Sequence, residues 1–366
     1  MKNIIFLLCF TTFIISCKKD KKTVSEEVES EKITSQWNDF DLNGSIKSTL
    51  EYTTEEKRDE VNTTNSVRKF ENQFSPDIAL NFDEKGKLTN KISYSEDGNI
   101  SEDILYDGKD KVISIKNYTN PKEYIETKYT WNNTKNTIIT RRFNGKEILD
   151  KEVFLFDNGN KIEKYKYDSH EKQTDRTSYS YNNDNRISEE IYFQGKPIMQ
   201  SRLSIEYDNN GNKSIETIYN KDFKVITKTM HEYDALNQLV NTKTSTDNGS
   251  LDSELFRSYD DKKRLISKGS YEVFDNSNNK EEFEYDEKDN PTSWKIYKNQ
   301  KLLSKTIYTF DFKNNLTSET VTSPNGKEIY TKIVEYTYDK NENWITRKST
   351  INKLVLYTSR KIEYYN

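Results

Sequence analysis

Asp208, Asn210 and Asn212 alternate as oxygen donors do at the head of a calcium-binding loop. The likeness stops there, because the sixth position is Lys213 and the twelfth is Tyr219, where glycine and glutamate are wanted. The two histidines, His170 and His231, lie 61 residues apart and suit a solvated or packed role better than a ligand pair or a general base. Carboxylates adjoin at Glu189-Glu190 and Glu281-Glu282, but neighbours on a strand face opposite ways and cannot share a proton locally. A glycosidase pair would have to be assembled from distant segments. The sequence contains no glycine-rich phosphate loop and no nucleophile elbow. What remains are Trp131, Trp294, Trp344 and Trp37, whose rings could stack on sugars from an open face or else fill a core. No catalytic residue, metal or cofactor is expected.

The N-terminus carries one motif with definite chemistry. Lys2 precedes a short apolar run, Ile4 to Ile15, which is too short to cross a bilayer comfortably and reads as a signal peptide over residues 1–16. Ile14-Ile15-Ser16-Cys17 resembles the lipobox of bacterial lipoproteins, which implies cleavage before Cys17 and a diacylglycerol on its thiol. Cys9 is the one other cysteine, so the mature chain would hold neither a disulfide nor a free thiolate site. Lys18 stands where an inner-membrane retention signal would place aspartate, and Lys18-Lys19-Asp20-Lys21 is similar to export signals of Bacteroidetes surface lipoproteins. The first favours a lipid anchor in the outer membrane, and the second favours exposure at the cell surface. Residues 17–36 are rich in Ser, Glu and Lys and read as a tether of some tens of ångströms.

The elements that follow are set by a repeat. Aromatic-Asp or aromatic-Asn pairs recur at Phe82-Asp83, Tyr106-Asp107, Trp131-Asn132, Phe156-Asp157, Tyr181-Asn182, Tyr207-Asp208, Tyr233-Asp234, Tyr259-Asp260, Tyr285-Asp286, Phe310-Asp311 and Tyr338-Asp339. Their spacing is 24 to 28 residues, the mark of an array of like units. A second aromatic follows 11 or 12 residues later, as at Tyr94, Tyr118, Tyr192 and Tyr297, with polar turn formers behind it. Each period is therefore two strands and two turns. In the turns, Asp or Asn accepts backbone N–H groups and Gly or Asn takes the left-handed conformation. Asp83, Asp107, Asp157, Asp208, Asp234, Asp260, Asp286, Asp311 and Asp339 are thus read as structural.

Residues 77–366 form this array, and 37–76 are expected to cap it with an opening strand pair around Asn43-Gly44 and a long polar loop. A mean hydropathy of -1.03 alone suggests disorder, but 25 Tyr and 17 Phe at fixed phase supply buried area from few residues. The expected fold class is all-β: about eleven two-stranded hairpins in a long curled or spiralled antiparallel sheet that encloses its aromatic face, with a β-propeller as the alternative. Lys and Arg number 57 against 61 Asp and Glu, which leaves no basic footprint for nucleic acid. The chain is expected to be a monomer.

Tyr207-Asp208-Asn209-Asn210-Gly211-Asn212, Phe156-Asp157-Asn158-Gly159-Asn160 and Tyr338-Asp339-Lys340-Asn341-Glu342-Asn343-Trp344 resemble the YD repeats of the Rhs family, in particular its short lipoproteins in Bacteroidetes. The resemblance spans residues 77–366 and implies a β-rich array associated with carbohydrate. The chain departs from it in copies without glycine, such as Asp234-Ala235-Leu236-Asn237, and in having no C-terminal toxin segment within its repeats. The function expected is a lipid-anchored, non-enzymatic binding or scaffold surface in the cell envelope, for a glycan or an envelope protein. The alternatives are a polysaccharide-acting enzyme and an immunity or accessory protein of a contact-dependent toxin.

Overall fold

The computed structural model describes residues 36–55, 76–195 and 198–366. The signal peptide, Cys17, the tether up to Ser35 and the polar loop 56–75 lie outside the described residues. The chain divides into two units, Met1–Thr34 and Ser35–Asn366, and the strands among the described residues belong to the second.

A short 3₁₀ turn, Trp37–Phe40, leads into β1 (Ile46–Thr54). The strands then follow as β2 (Ile78–Phe82), β3 (Leu88–Tyr94), β4 (Ile100–Tyr106), β5 (Val112–Asn120), β6 (Glu123–Asn132), β7 (Thr137–Asn144) and β8 (Glu147–Asp157). Next come β9 (Asn160–Asp168), β10 (Gln173–Tyr181), β11 (Ile187–Gln194), β12 (Ile198–Tyr207), β13 (Lys213–Asn220), β14 (Val225–Tyr233), β15 (Leu239–Thr246) and β16 (Leu251–Tyr259). The series ends with β17 (Leu265–Glu272), β18 (Ser277–Tyr285), β19 (Pro291–Lys298), β20 (Lys301–Phe310), β21 (Leu316–Thr322), β22 (Glu328–Tyr338), β23 (Trp344–Ile351) and β24 (Leu354–Tyr364). Each strand pairs antiparallel with the next, and β24 pairs with β1, so the sheet closes into a 24-stranded barrel.

Closure corrects the spiral and the propeller alike. The eleven aromatic-Asp or aromatic-Asn turns join β2 through β23 as hairpins, and the two strands left over, β1 and β24, pair with each other. The expected opening strand pair is instead the 3₁₀ turn and the single strand β1, whose partners are β2 and β24. A bulge falls at the repeat aromatic in ten of the eleven turns; Trp131 is the exception. Bulges bend a strand and raise its twist, and these ten, with nine more register shifts at the opposite end, supply the curvature a closed sheet needs.

The second correction concerns the aromatic face. At about 4.8 Å per strand the girth is on the order of 115 Å, wider than side chains can fill. Among the described residues ten hydrophobic side chains are buried, and eight of them (Leu42, Ile46, Tyr52, Ala79, Leu80, Phe82, Leu88 and Leu356) lie beside the seam. The repeat aromatics are packed sideways along the wall instead: Lys151 stands 4.4 Å over Tyr167, Lys161 4.0 Å over Tyr179 and Arg264 4.9 Å over Tyr285.

The seam is tied by polar groups. Arg360 donates to Glu51 at 3.0 Å, with both side chains nearly buried, and its guanidinium lies 3.4 Å over the Trp344 ring. Burial lowers the pKa of Arg360 and Glu51 pulls it back. Thr53 meets Thr358 across the seam at 2.8 Å, and its N–H donates to Asp77 at 2.8 Å. Removing the carboxylate strands a buried charge, so Glu51→Gln is expected to cost about 3 kcal/mol in denaturant unfolding. In mid-sheet, Phe256 lies over its cross-strand partner Gly269, where a Cβ would come within 2.4 Å of the ring and 2.5 Å of the Asn279 carbonyl. Gly269→Ala is expected to lower stability by about 1–3 kcal/mol through overpacking, and Phe256→Leu in the same chain to recover part of it.

Candidate functional site

The repeated aspartates are the joints at one end of the barrel. In Asp83, Asp107, Asp208, Asp234, Asp260, Asp286, Asp311 and Asp339, Oδ1 accepts the backbone N–H groups two and four residues on, at 2.8 to 3.1 Å. Those two bonds hold the third residue on in the left-handed region, which explains the copies without glycine: Asp110, Lys263 and Glu342 adopt φ of 64°, 66° and 67° there. Asp157 departs from the set. It pairs directly with Asn160, and the chain turns in two residues through Asn158 and Gly159, both at positive φ. The Oδ1 of Asp208 is thus committed to the turn that imitates a calcium loop.

Above the turns, the repeat tyrosines Tyr181, Tyr207, Tyr259 and Tyr285 each donate their hydroxyl to the carbonyl 20 residues back, at 2.7 to 3.1 Å. Trp131 does the same with its indole N–H, at 2.8 Å to Val112. It is therefore in phase with the repeat. The other tryptophans stand apart from it. Trp294 stacks on Phe283 and donates to Glu281, Trp344 lies under Arg360, and Trp37 donates to the Ile46 carbonyl in the seam core. The sequence left them as one group, stacking from an open face or filling a core, and the structure separates them into four settings.

The site the structure does assemble lies across β6–β11. Register aligns the row Trp131, Ile138, Phe154, Lys164, Thr177 and Tyr192, one residue from each successive strand. Beside it runs Tyr129, Thr140, Glu152 and Lys166, and beside that Thr127, Arg142 and Asp150. These rows line a cavity of about 550 Å³ that continues into a second of about 230 Å³ through the shared Glu152 and Lys166. Five strand gaps give it a span of about 24 Å. Sequence reasoning reached Trp131 and missed the rest, because rows depend on register and not on periodicity within a strand.

Its charges are matched. Arg142 donates its Nε–H to Asp150 at 2.8 Å, and Lys164 meets Glu152 at 2.8 Å. The Arg142 hydrogen bond holds the Asp150 carboxyl below its ordinary range, and the Thr174 and Tyr192 hydroxyls do the same for Asp175. Such groups accept hydrogen bonds from hydroxyls; a glycosidic general acid would need the opposite shift. Elsewhere, His170 lies on an exposed turn, whereas His231 is packed, with Nε2 2.9 Å from Glu216 and Nδ1 3.2 Å from the Thr242 hydroxyl.

No family model and no curated protein matches the chain. Among solved structures, a Tc holotoxin pore of Photorhabdus luminescens aligns over 77% of this chain and 19% of its own, at 14% identity and a TM-score of 0.39. A porin-like protein of Bacteroides uniformis aligns over 65% of this chain and 94% of its own, at 10% identity and a TM-score of 0.25. The chain thus spans about a fifth of the toxin chain, and neither likeness bears on function.

The turns also fix a pH window. Asp208 and Asp234 are held below the usual carboxylate range, first by the N–H four residues on, so their contribution is present above 3.8 and lost as pH falls through their lowered values. Tyr338 is pushed up to about 12, by burial and by its hydrogen bond to Asp311, so its contribution is present below 10.0 and lost as pH climbs towards 12. Thermal melts should show both limbs, and Tyr338→Phe should flatten the alkaline one.

Proposed function

We propose that this chain is a lipid-anchored envelope protein whose barrel stands in water and binds a polysaccharide, without cleaving it, in the β6–β11 groove. The reading rests on the groove itself. Aromatic rings at Tyr129, Trp131, Phe154 and Tyr192 alternate with paired acceptors and donors, which is the chemistry of pyranose faces and hydroxyls.

Placement in water follows from charge. Around β14, one face carries Lys228, Glu232, Lys243 and Glu254, and the other Glu216, His231 and Arg257. A spanning barrel needs one apolar face, and each Lys or Arg at the bilayer midplane costs about 2–4 kcal/mol. Attachment is therefore assigned to Cys17. The barrel is joined at Gln36, whose N–H donates to the Gly86 carbonyl, so the tether leaves from the Asp-turn end. The YD-repeat kinship belongs to this reading as well: it rests on the phase of the repeat and on the Asp joint at its turns.

Affinity electrophoresis of the purified protein through gels of neutral and acidic bacterial polysaccharides tests the binding. Retardation by one class is expected, with Trp131→Ala and Tyr129→Ala together weakening it at least tenfold. Equal retardation of that variant, at an unchanged circular dichroism spectrum, would refute the groove. Radiolabelled palmitate entering the wild type but not Cys17→Ser tests the anchor separately.

A further inference from the structure

The end of the barrel opposite the Asp turns carries exposed apolar residues in a continuous arc. Seven successive connections there, from β11–β12 to β23–β24, each present at least one, on the turn or in the first three residues of the following strand. Phe274, 98% exposed, stands on the middle connection, β17–β18. By the same count at the Asp end, among the described residues, such side chains occur only at Ile113, Leu236 and Phe312.

The arc is balanced about its midpoint. Leu251 on β15–β16 answers Leu303 on β19–β20, Phe223 on β13–β14 answers Ile329 on β21–β22, and Ile198 answers Leu354 at its two ends. Charge is balanced in the opposite sense. Asp247 and Asp252 lie on or beside the β15–β16 turn, and Lys298 and Lys301 flank the β19–β20 turn, the two connections on either side of Phe274.

We propose that this rim docks a second copy of the chain, the two barrels meeting end to end about a two-fold axis through the Val273-Phe274 turn. A two-fold there sets Phe274 against Phe274 and each flanking connection against its counterpart, so that like apolar residues meet and the acidic pair faces the basic pair. Scaled from about 200 Å² for a fully exposed phenylalanine, the apolar residues of the arc offer on the order of 900 Å², close to the roughly 800 Å² per partner of a standard interface. The arrangement also creates like-charge contacts, at Asp275 and Glu272 beside the axis and between the lysines of the β13–β14 turn (Lys221, Lys224) and Lys327 on β21–β22. The proposal departs from the monomer expected of the sequence and is independent of the groove.

Sedimentation velocity of the full-length protein in detergent, across a concentration series, tests it. A two-copy species is expected, with Phe274→Asp raising its dissociation constant at least tenfold and Phe312→Asp, at the other end, leaving it unchanged. Asp247→Lys with Asp252→Lys should weaken the pair, and adding Lys298→Asp with Lys301→Asp should restore it. Asp275→Asn should tighten it. A single copy at every concentration would overturn the proposal, as would equal losses from Phe274→Asp and Phe312→Asp. Flotation of the single copy of the Cys17→Ser chain with phosphatidylcholine vesicles, abolished by adding Phe274→Asp, would assign the rim to a lipid surface instead.

Discussion

The pairing of β1 with β24 is the contact on which the architecture depends. Eleven hairpins laid side by side leave two open strand edges, and open edges recruit other chains. Here the edges are consumed by two strands that belong to no hairpin of the series, pairing from Ile46 opposite Tyr364 to Thr54 opposite Tyr357. The closure entropy of joining strands some 300 residues apart is large, and the local structure reflects it. The fully buried apolar residues are concentrated at this seam, as are Thr49, Thr53, Thr54 and Thr358. Asn43 and Asn343 exchange hydrogen bonds at 2.7 and 2.8 Å, and Tyr365 donates its N–H to Ser45 and its hydroxyl to Phe82. The molecule's conventional core is in effect a clasp.

Away from the clasp the wall is held without a core. A chain of this hydropathy cannot bury a second apolar layer, so many of the wall's aromatics are covered laterally by the stem and charge of a neighbouring Lys or Arg. Arg176 over Phe193, Arg202 over Tyr219 and Lys313 over Tyr338 repeat the arrangement, and the first two arginines also pair with Glu163 and Glu189. Individually exposed ion pairs contribute little. Their value here is that one cation serves two partners in a fixed ladder, and the ladder recurs from strand to strand.

What could be read from the sequence follows from how local each feature is. The phase of Tyr207-Asp208 and its ten counterparts is local, and it located the turns and the strands between them. The carboxylate's two N–H bonds also make glycine optional, which is why Asp260-Asp261-Lys262-Lys263 and Asp339-Lys340-Asn341-Glu342 turn as Asp208-Asn209-Asn210-Gly211 does. Closure was not legible, because nothing in Ile46–Thr54 names its partner and the bulges that curve the sheet leave no residue signature of their own. The wall's curvature is a sum over irregularities at both ends of the strands, each visible only once register is known.

The groove shows the same dependence from the other side. Trp131 occupies the repeat's aromatic position in the one hairpin that lacks a bulge there, and β6 pairs with β7 from Ile125 opposite Asn144 to Asn132 opposite Thr137 without a shift. An unbroken register keeps Trp131, Tyr129 and Thr127 level with Ile138, Thr140 and Arg142. Those stay level with Phe154, Glu152 and Asp150, because the β7–β8 shift comes later, at Phe143. Had the aromatic at 131 carried the usual bulge, the rows would break at their first strand and the rings would be offset from the paired charges. The lost irregularity is thus what sets an indole, a phenyl ring and two ion pairs on one continuous surface. The departure of this copy from its repeat, rather than the repeat itself, makes the groove.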